Sequence, residues 1–195
     1  MAAKNKNGTK NGTKNGGHLE KLREPLLLNV SLRIGAWREL FNDQAGMMII
    51  SDALNECVVN NIFTLAGYLI TARRVFLVIY PKGPDAESML FAFYDTVRRA
   101  VRHHADGSKY AGQQTSQQRD RMLMDELLKH PFHRQYCIND HLERLVTGRR
   151  VNLPYHSPHL DVLKDKVRRA VFCSAIEYRG GEGPVIIEKL RKILH

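Results

Sequence analysis

The sequence predicts an α+β fold in which antiparallel strands carry helices on one face, and three observations predict it. In "LLLNVSLRI", Leu28, Val30, Leu32 and Ile34 alternate strictly with Asn29, Ser31 and Arg33, the period of a half-buried strand. In "YLITARRVFLVIY" (Tyr68 to Tyr80), two apolar runs are broken only by Ala72-Arg73-Arg74, which joins them as tightly paired antiparallel strands. Two other segments repeat apolar residues every three or four positions, as amphipathic helices do. The order is strand, helix, strand, strand, helix, then an α-rich remainder, and such strands with helices on one face form an α+β sandwich.

Each element follows from its residues. "KNKNGTKNGTKNGG" has nothing apolar to bury, so residues 1–24 are expected to be a disordered basic tail and residues 25–195 the folded domain. After the first strand, "GAWRELFND" reads as a loop or short turn anchored by Trp37 and Phe41. From Gln44 to Asn60, the recurrence of Met47, Ile50, Leu54, Cys57 and Val58 predicts a helix. Ile62–Ile70 and Val75–Tyr80 are rich in β-branched and aromatic residues and predict strands. Asp85 is the expected N-cap of a second helix that buries Met89, Phe93, Val97 and Val101. Residues 105–115 read as a polar loop, and Thr115 with Gln118 as a capping box for a helix through Met122, Leu123 and Leu127. A short helix from Asn139 should stop at Gly148, "LPYHSPH" should be a loop, and Pro184 suits the first position of a terminal helix through Ile193.

The chain has 195 residues, 43% of them hydrophobic, which excludes a wholly disordered protein. Its formal charge is +10. Residues 1–23 hold six basic side chains against one acidic, a net +5, which leaves +5 on residues 24–195. A body that is basic in its own right favours an acidic partner such as nucleic acid. Cys57, Cys137 and Cys173 are odd in number and far apart, so neither a disulfide framework nor a CxxC metal site is expected. No apolar stretch is long enough to cross a membrane and no signal-type segment follows Met1, so no membrane partner and a cytoplasmic location are expected.

Two long blocks carry a resemblance. "IISDALNECVVNNIFTLAGYLITARRVFLVI", from Ile49, resembles the core of the single-tyrosine HUH transposases, especially their repeat-associated relatives (the REP-associated tyrosine transposases) in bacteria. Tyr68, Leu69, Ile70, Val75 and Leu77 keep the family's strand pattern. "YHSPHLDVLKDKVRRAVFCSAIEYRGGEGPV" is similar to the family's C-terminal block, with Pro158, Leu163, Ser174, Tyr178 and Gly181 at corresponding places. With the first strand and "WRELF", the resemblance spans most of residues 26–187. It implies a ferredoxin/RRM-like antiparallel sheet, single-stranded DNA as substrate, and DNA transposition on behalf of a mobile element. It also implies a divalent metal, Mg²⁺ or Mn²⁺, held by two histidines on one strand face, and a helix-borne tyrosine that attacks the phosphodiester.

The chain departs from that pattern at its centre. The two histidine positions are Arg74 and Phe76, and neither side chain can ligate a metal. The HUH motif is therefore degenerate, and no metal or other cofactor is expected. Tyr94 is the one tyrosine on the second helix, and its spacing does not fit the family's nucleophile cleanly. His130 with His133, and His156 with His159, have a spacing that would work on a helix, but Pro131 and Pro158 argue for loops.

Three functions remain. The first is a transposase-like protein without strand-transfer activity that binds single-stranded or hairpin DNA. Its candidate contacts are Arg73 and Arg74 in the turn, Arg98, Arg99 and Arg102 on the second helix, and Lys164, Lys166, Arg168 and Arg169 near the C-terminus. The second is an active nuclease or transposase with a displaced metal site. The third is a protein-interaction scaffold with no nucleic-acid role. Monomer and homodimer are both open, and the first reading is the one expected.

Overall fold

β1 (Leu28–Ile34) buries Val30, Leu32 and Ile34 and turns Asn29, Ser31 and Arg33 the other way, as its alternation requires. The structure, a computed structural model, describes residues 27–82, 85–108, 122–135 and 139–190. The basic tail, the Thr115–Gln118 capping box and Cys137 lie outside the described residues.

After β1, a 3₁₀ turn (Ala36–Leu40) carries Trp37 into the core, where its indole N–H donates to the Pro131 carbonyl at 2.8 Å. α1 (Asp43–Val59) starts at Asn42, whose side chain accepts from the Ala45 N–H. It buries Ile49, Ile50, Ala53, Leu54 and Cys57. β2 (Phe63–Ile70) and β3 (Arg74–Pro81) form the expected hairpin. α2 (Ala86–Ser108) begins at Asp85, whose carboxylate accepts from the Glu87 and Ser88 N–H groups. The helix buries Met89, Phe93, Val97 and Val101 as predicted, and it runs to Ser108, past the point where the sequence predicts a loop. Residues 122–128 are helical (α3). β4 (Phe132–Gln135), α4 (Asp140–Val146), α5 (Pro158–Arg169) and α6 (Ala175–Tyr178) complete the order.

The fold is α+β, with one four-stranded antiparallel sheet in the order β2-β3-β1-β4. One face, formed by Val30, Leu32, Leu65, Tyr68, Val75 and Leu77, packs against α1 and α2 in the main core. The expectation that helices lie on one face only is corrected by a second core. Leu69, Phe76 and Val78 on the opposite face meet Val146 of α4, Val167 of α5 and Cys173. The β2–β3 register shifts between Leu65 and Gly67, beside this second layer. A Cβ on Gly67 would stand 3.1 Å from the methyls of both Val146 and Thr147, so glycine lets α4 approach the strand closely.

Two further expectations fail. α5 begins within the predicted "LPYHSPH" loop, because Ser157 caps it and Pro158 occupies its first turn, where a missing N–H costs nothing. The terminal helix from Pro184 is absent through residue 190. That segment instead sends alternate N–H groups to the body: Ile186 to the Asn55 side chain, Glu188 to the Leu65 carbonyl and Leu190 to the Tyr178 hydroxyl. An apolar run such as "PVIIEKL" suits either state by composition, and these partners select the extended one.

Candidate nucleic-acid interface

The 71–74 turn works without Gly or Asn because Thr71 closes it. Its hydroxyl accepts from the Arg74 N–H at 3.1 Å and lies 3.0 Å from the Arg74 carbonyl, while the Thr71 N–H donates to that same carbonyl at 2.9 Å. The Arg73 carbonyl accepts from Ile34 N–H, which ties the turn to the end of β1. Arg73 and Arg74 are thereby held exposed at one end of the sheet.

Register then decides what Arg74 faces. Arg33 of β1 stands directly opposite Arg74, and His133 of β4 stands directly opposite Arg33. Alternation puts all three on the face that carries Phe76 and Val78, away from α1 and α2. α4 and α5 cover that face over β2 and β3, yet Arg33, Arg74 and His133 are all exposed, so this corner of the sheet is open. Among the described residues, Arg33, Arg73 and Arg74 form no ion pair. Two like charges directly opposed across a ladder destabilise it, and among the described residues no carboxylate pairs with either.

The other cationic candidates are differently placed. Arg98 donates to the Leu128 and Lys129 carbonyls at 3.0 and 3.1 Å and pairs with Asp95, clipping α3 to α2. Arg99 pairs with Glu56 of α1, and Arg102 with Asp125 of α3 at 2.9 Å. Arg168 and Arg169 both bond Asp165 one turn back along α5. Lys164 is half-buried. Lys166 is exposed and borders a cavity of about 540 Å³ with Thr71, Met47 and Phe172. Of the nine cationic candidates, Arg73 and Arg74 stand at the open corner, and Lys166 and Arg169 border the cavity beside Thr71 at the start of the same turn.

Among the described residues, the geometry for transposase chemistry is not assembled. Phe76 is 5% exposed and belongs to the second core. Tyr94 lies on α2, across the sheet from Arg74 and Phe76, among the rings of Phe91, Phe93 and Phe132. The donor set at the degenerate motif does not fit a divalent metal, since a guanidinium and a phenyl ring offer it no lone pair. Among the described residues, no three His, Cys, Asp or Glu side chains gather as a ligand set. His130 and His133 have ring centroids 6.3 Å apart, and His156 stands 3.4 Å from Asp161. Burial pushes the thiols of Cys57 and Cys173 up to about 11, so both are protonated near neutrality and poor nucleophiles.

Arg33 and His133 join the site although sequence reasoning does not single them out for it. In the sequence Arg33 is only a polar position on β1, and His133 only half of a histidine pair. Nothing local announces the register that joins them to Arg74. The chain matches no family model, no curated protein and no solved structure. Among the described residues, no helix is long and apolar enough to cross a membrane.

Proposed function

We propose that this chain binds single-stranded or hairpin DNA, seating phosphates on the open sheet corner of Arg33, Arg74 and His133, and carries out no strand transfer. The observation that carries this reading is the unrelieved Arg33–Arg74 pair. A fold that keeps two opposed guanidiniums exposed, with no carboxylate paired to them among the described residues, gains from an anion that bridges both. Phosphate oxygens spaced along a flexible strand are such anions, and each contact adds salt-sensitive affinity with little sequence information.

The strand order supports the choice of partner. β-α-β-β-α-β with the order β2-β3-β1-β4 is a ferredoxin-like arrangement, the same plan as RRM modules that receive single strands on an open sheet face. It is also the plan implied by the resemblance to single-tyrosine HUH transposases, and we read the chain as a relative of them whose metal site has been replaced by Arg74 and Phe76. Tyr94, on the far face, has no part in this reading as a nucleophile.

Fluorescence anisotropy of labelled single-stranded, hairpin and duplex DNA, repeated across a salt series, tests the proposal. Tighter single-strand or hairpin binding, weakened by salt and by Arg74→Ala and indifferent to EDTA, is expected. Affinity equal for all three shapes and unchanged by Arg74→Ala would overturn it. A covalent protein–DNA adduct formed with Mg²⁺ or Mn²⁺ would favour an active enzyme, and a salt-insensitive protein partner without DNA affinity would favour a scaffold.

A further inference from the structure

β4 alternates its side chains like any strand, so it looks both ways at the sheet's edge. His133 joins Arg33 and Arg74 on the open face, while Phe132 and Arg134 belong to the other face. There, beside α2, lies a cleft of about 410 Å³, within the range of small-molecule sites. Phe91, Tyr94 and Phe132 line it, with His130, Arg98 and Arg134 around them.

The aromatic residues are arranged for a flat ligand. Phe93 and Phe132 stack at 5.4 Å and anchor the floor in the main core. Tyr94 leans on Phe132 at 5.3 Å, and Phe91 meets Tyr94 edge-on at 6.1 Å and 87°. Phe91 is nevertheless 58% exposed. It lines the cleft while staying open to solvent, whereas the apolar stripe of α2 is otherwise buried. Around the rings, Arg98 is fixed by its bonds to Asp95 and two carbonyls, and Arg134 stands 3.6 Å from Glu87. The local charge is therefore largely balanced, and the cleft selects for a planar π-system more than for an anion.

We propose that this cleft receives one unpaired base of the strand whose phosphates lie on Arg33, Arg74 and His133, the strand passing over β4, the last strand of the sheet. The inference rests on the strand-binding reading and adds the site that holds a base. The base stacks on the Phe91 ring at the cleft mouth, above the Tyr94–Phe132 floor, and the guanidinium of Arg134 borders it. Tyr94 thus belongs to a stacking floor. Such stacking tolerates any base, because every base has a π-face.

The test pairs a protein change with a ligand change. Single-stranded oligonucleotides carrying the fluorescent base 2-aminopurine are titrated against wild type, Phe91→Ala and Phe91→Trp. Matched oligonucleotides keep the phosphates and have abasic sites in place of every base. Because Phe91 is exposed, its replacement leaves the core intact, and a circular dichroism melt checks this. Quenching of 2-aminopurine by wild type is expected, with affinity reduced roughly tenfold by Phe91→Ala, restored by Phe91→Trp, and with an unchanged salt slope. The abasic oligonucleotide should bind equally weakly to wild type and Phe91→Ala. Strand binding by wild type that is indifferent to Phe91→Ala would overturn the base site and leave the phosphate corner standing. No strand binding by wild type at all would overturn both.

Discussion

Replacing Arg33 or Arg74 with glutamine is expected to stabilise the fold while weakening strand binding. The two residues stand directly opposite on β1 and β3, where Cβ atoms are about 5 Å apart. Their guanidiniums, splayed to about 7 Å in water, repel by about 0.6 kcal/mol before screening. Counterions at 0.1 M salt, with a Debye length of about 10 Å, reduce this to about 0.3 kcal/mol. For a chain of this size that is a rise of about 1 °C in melting temperature, and about one and a half times that at 20 mM salt, where the Debye length is about 20 Å. Glutamine keeps the length and polarity of the side chain, so the change isolates charge. Urea unfolding of wild type, Arg33→Gln, Arg74→Gln and the double variant, at 20 mM and 1 M salt, gives the coupling energy. The expected coupling is repulsive at low salt and vanishes at 1 M. A coupling that is absent or attractive at low salt would show that the guanidiniums do not oppose each other, and the anion-seating role would lose its physical basis. A site that trades stability for binding is the pattern expected of function.

Two other perturbations probe the scaffold. Gly148 ends α4 in a Schellman motif, with φ of 70°, the Arg149 N–H on the Arg144 carbonyl at 2.7 Å and the Gly148 N–H on the Leu145 carbonyl at 3.3 Å. A Cβ there would come within 2.6 Å of the Tyr178 Cβ, so Gly148→Ala should cost more than the roughly 1–2 kcal/mol of the left-handed backbone alone. A melting temperature within about 2 °C of wild type would contradict this. Glu177 is 7% exposed: one oxygen accepts from the Tyr68 hydroxyl at 3.0 Å, and the other has no partner among the described residues. Burial raises its pKa above the ordinary 4.5, so the unfolded chain ionises first as pH rises, and stability falls from about pH 4.5 upward. Glu177→Gln should remove this fall, and the gap between variant and wild type in urea should widen from about pH 4 to about pH 7. A gap that stays constant with pH would show that Glu177 does not hold its proton in the fold.

Much of the fold is legible in the sequence because burial imposes period. Alternation in β1, and the three- and four-residue spacing of α1 and α2, name main-core residues that the structure buries. What is illegible depends on partners remote in sequence. β4 is four residues long, follows Pro131 and carries His133, Arg134 and Gln135, so its only credential is its pairing with β1. The extended 184–190 segment is fixed by Asn55, Leu65 and Tyr178. The same limit governs the site. Arg98, Arg99 and Arg102 look like a free basic stripe until Asp95, Glu56 and Asp125 are seen beside them. Arg33 becomes a functional candidate only when register sets it against Arg74.

The salt dependence of single-strand affinity tests the central claim most directly. For single strands the logarithm of the binding constant falls with the logarithm of salt concentration by about 0.7 per neutralised phosphate. The Arg33→Gln, Arg74→Gln double variant should therefore lower that slope by about 1.4 relative to wild type, two contacts' worth, with weaker binding at every salt concentration. An affinity and slope equal to wild type would mean that phosphates are held elsewhere, and the open corner of the sheet would not be the interface.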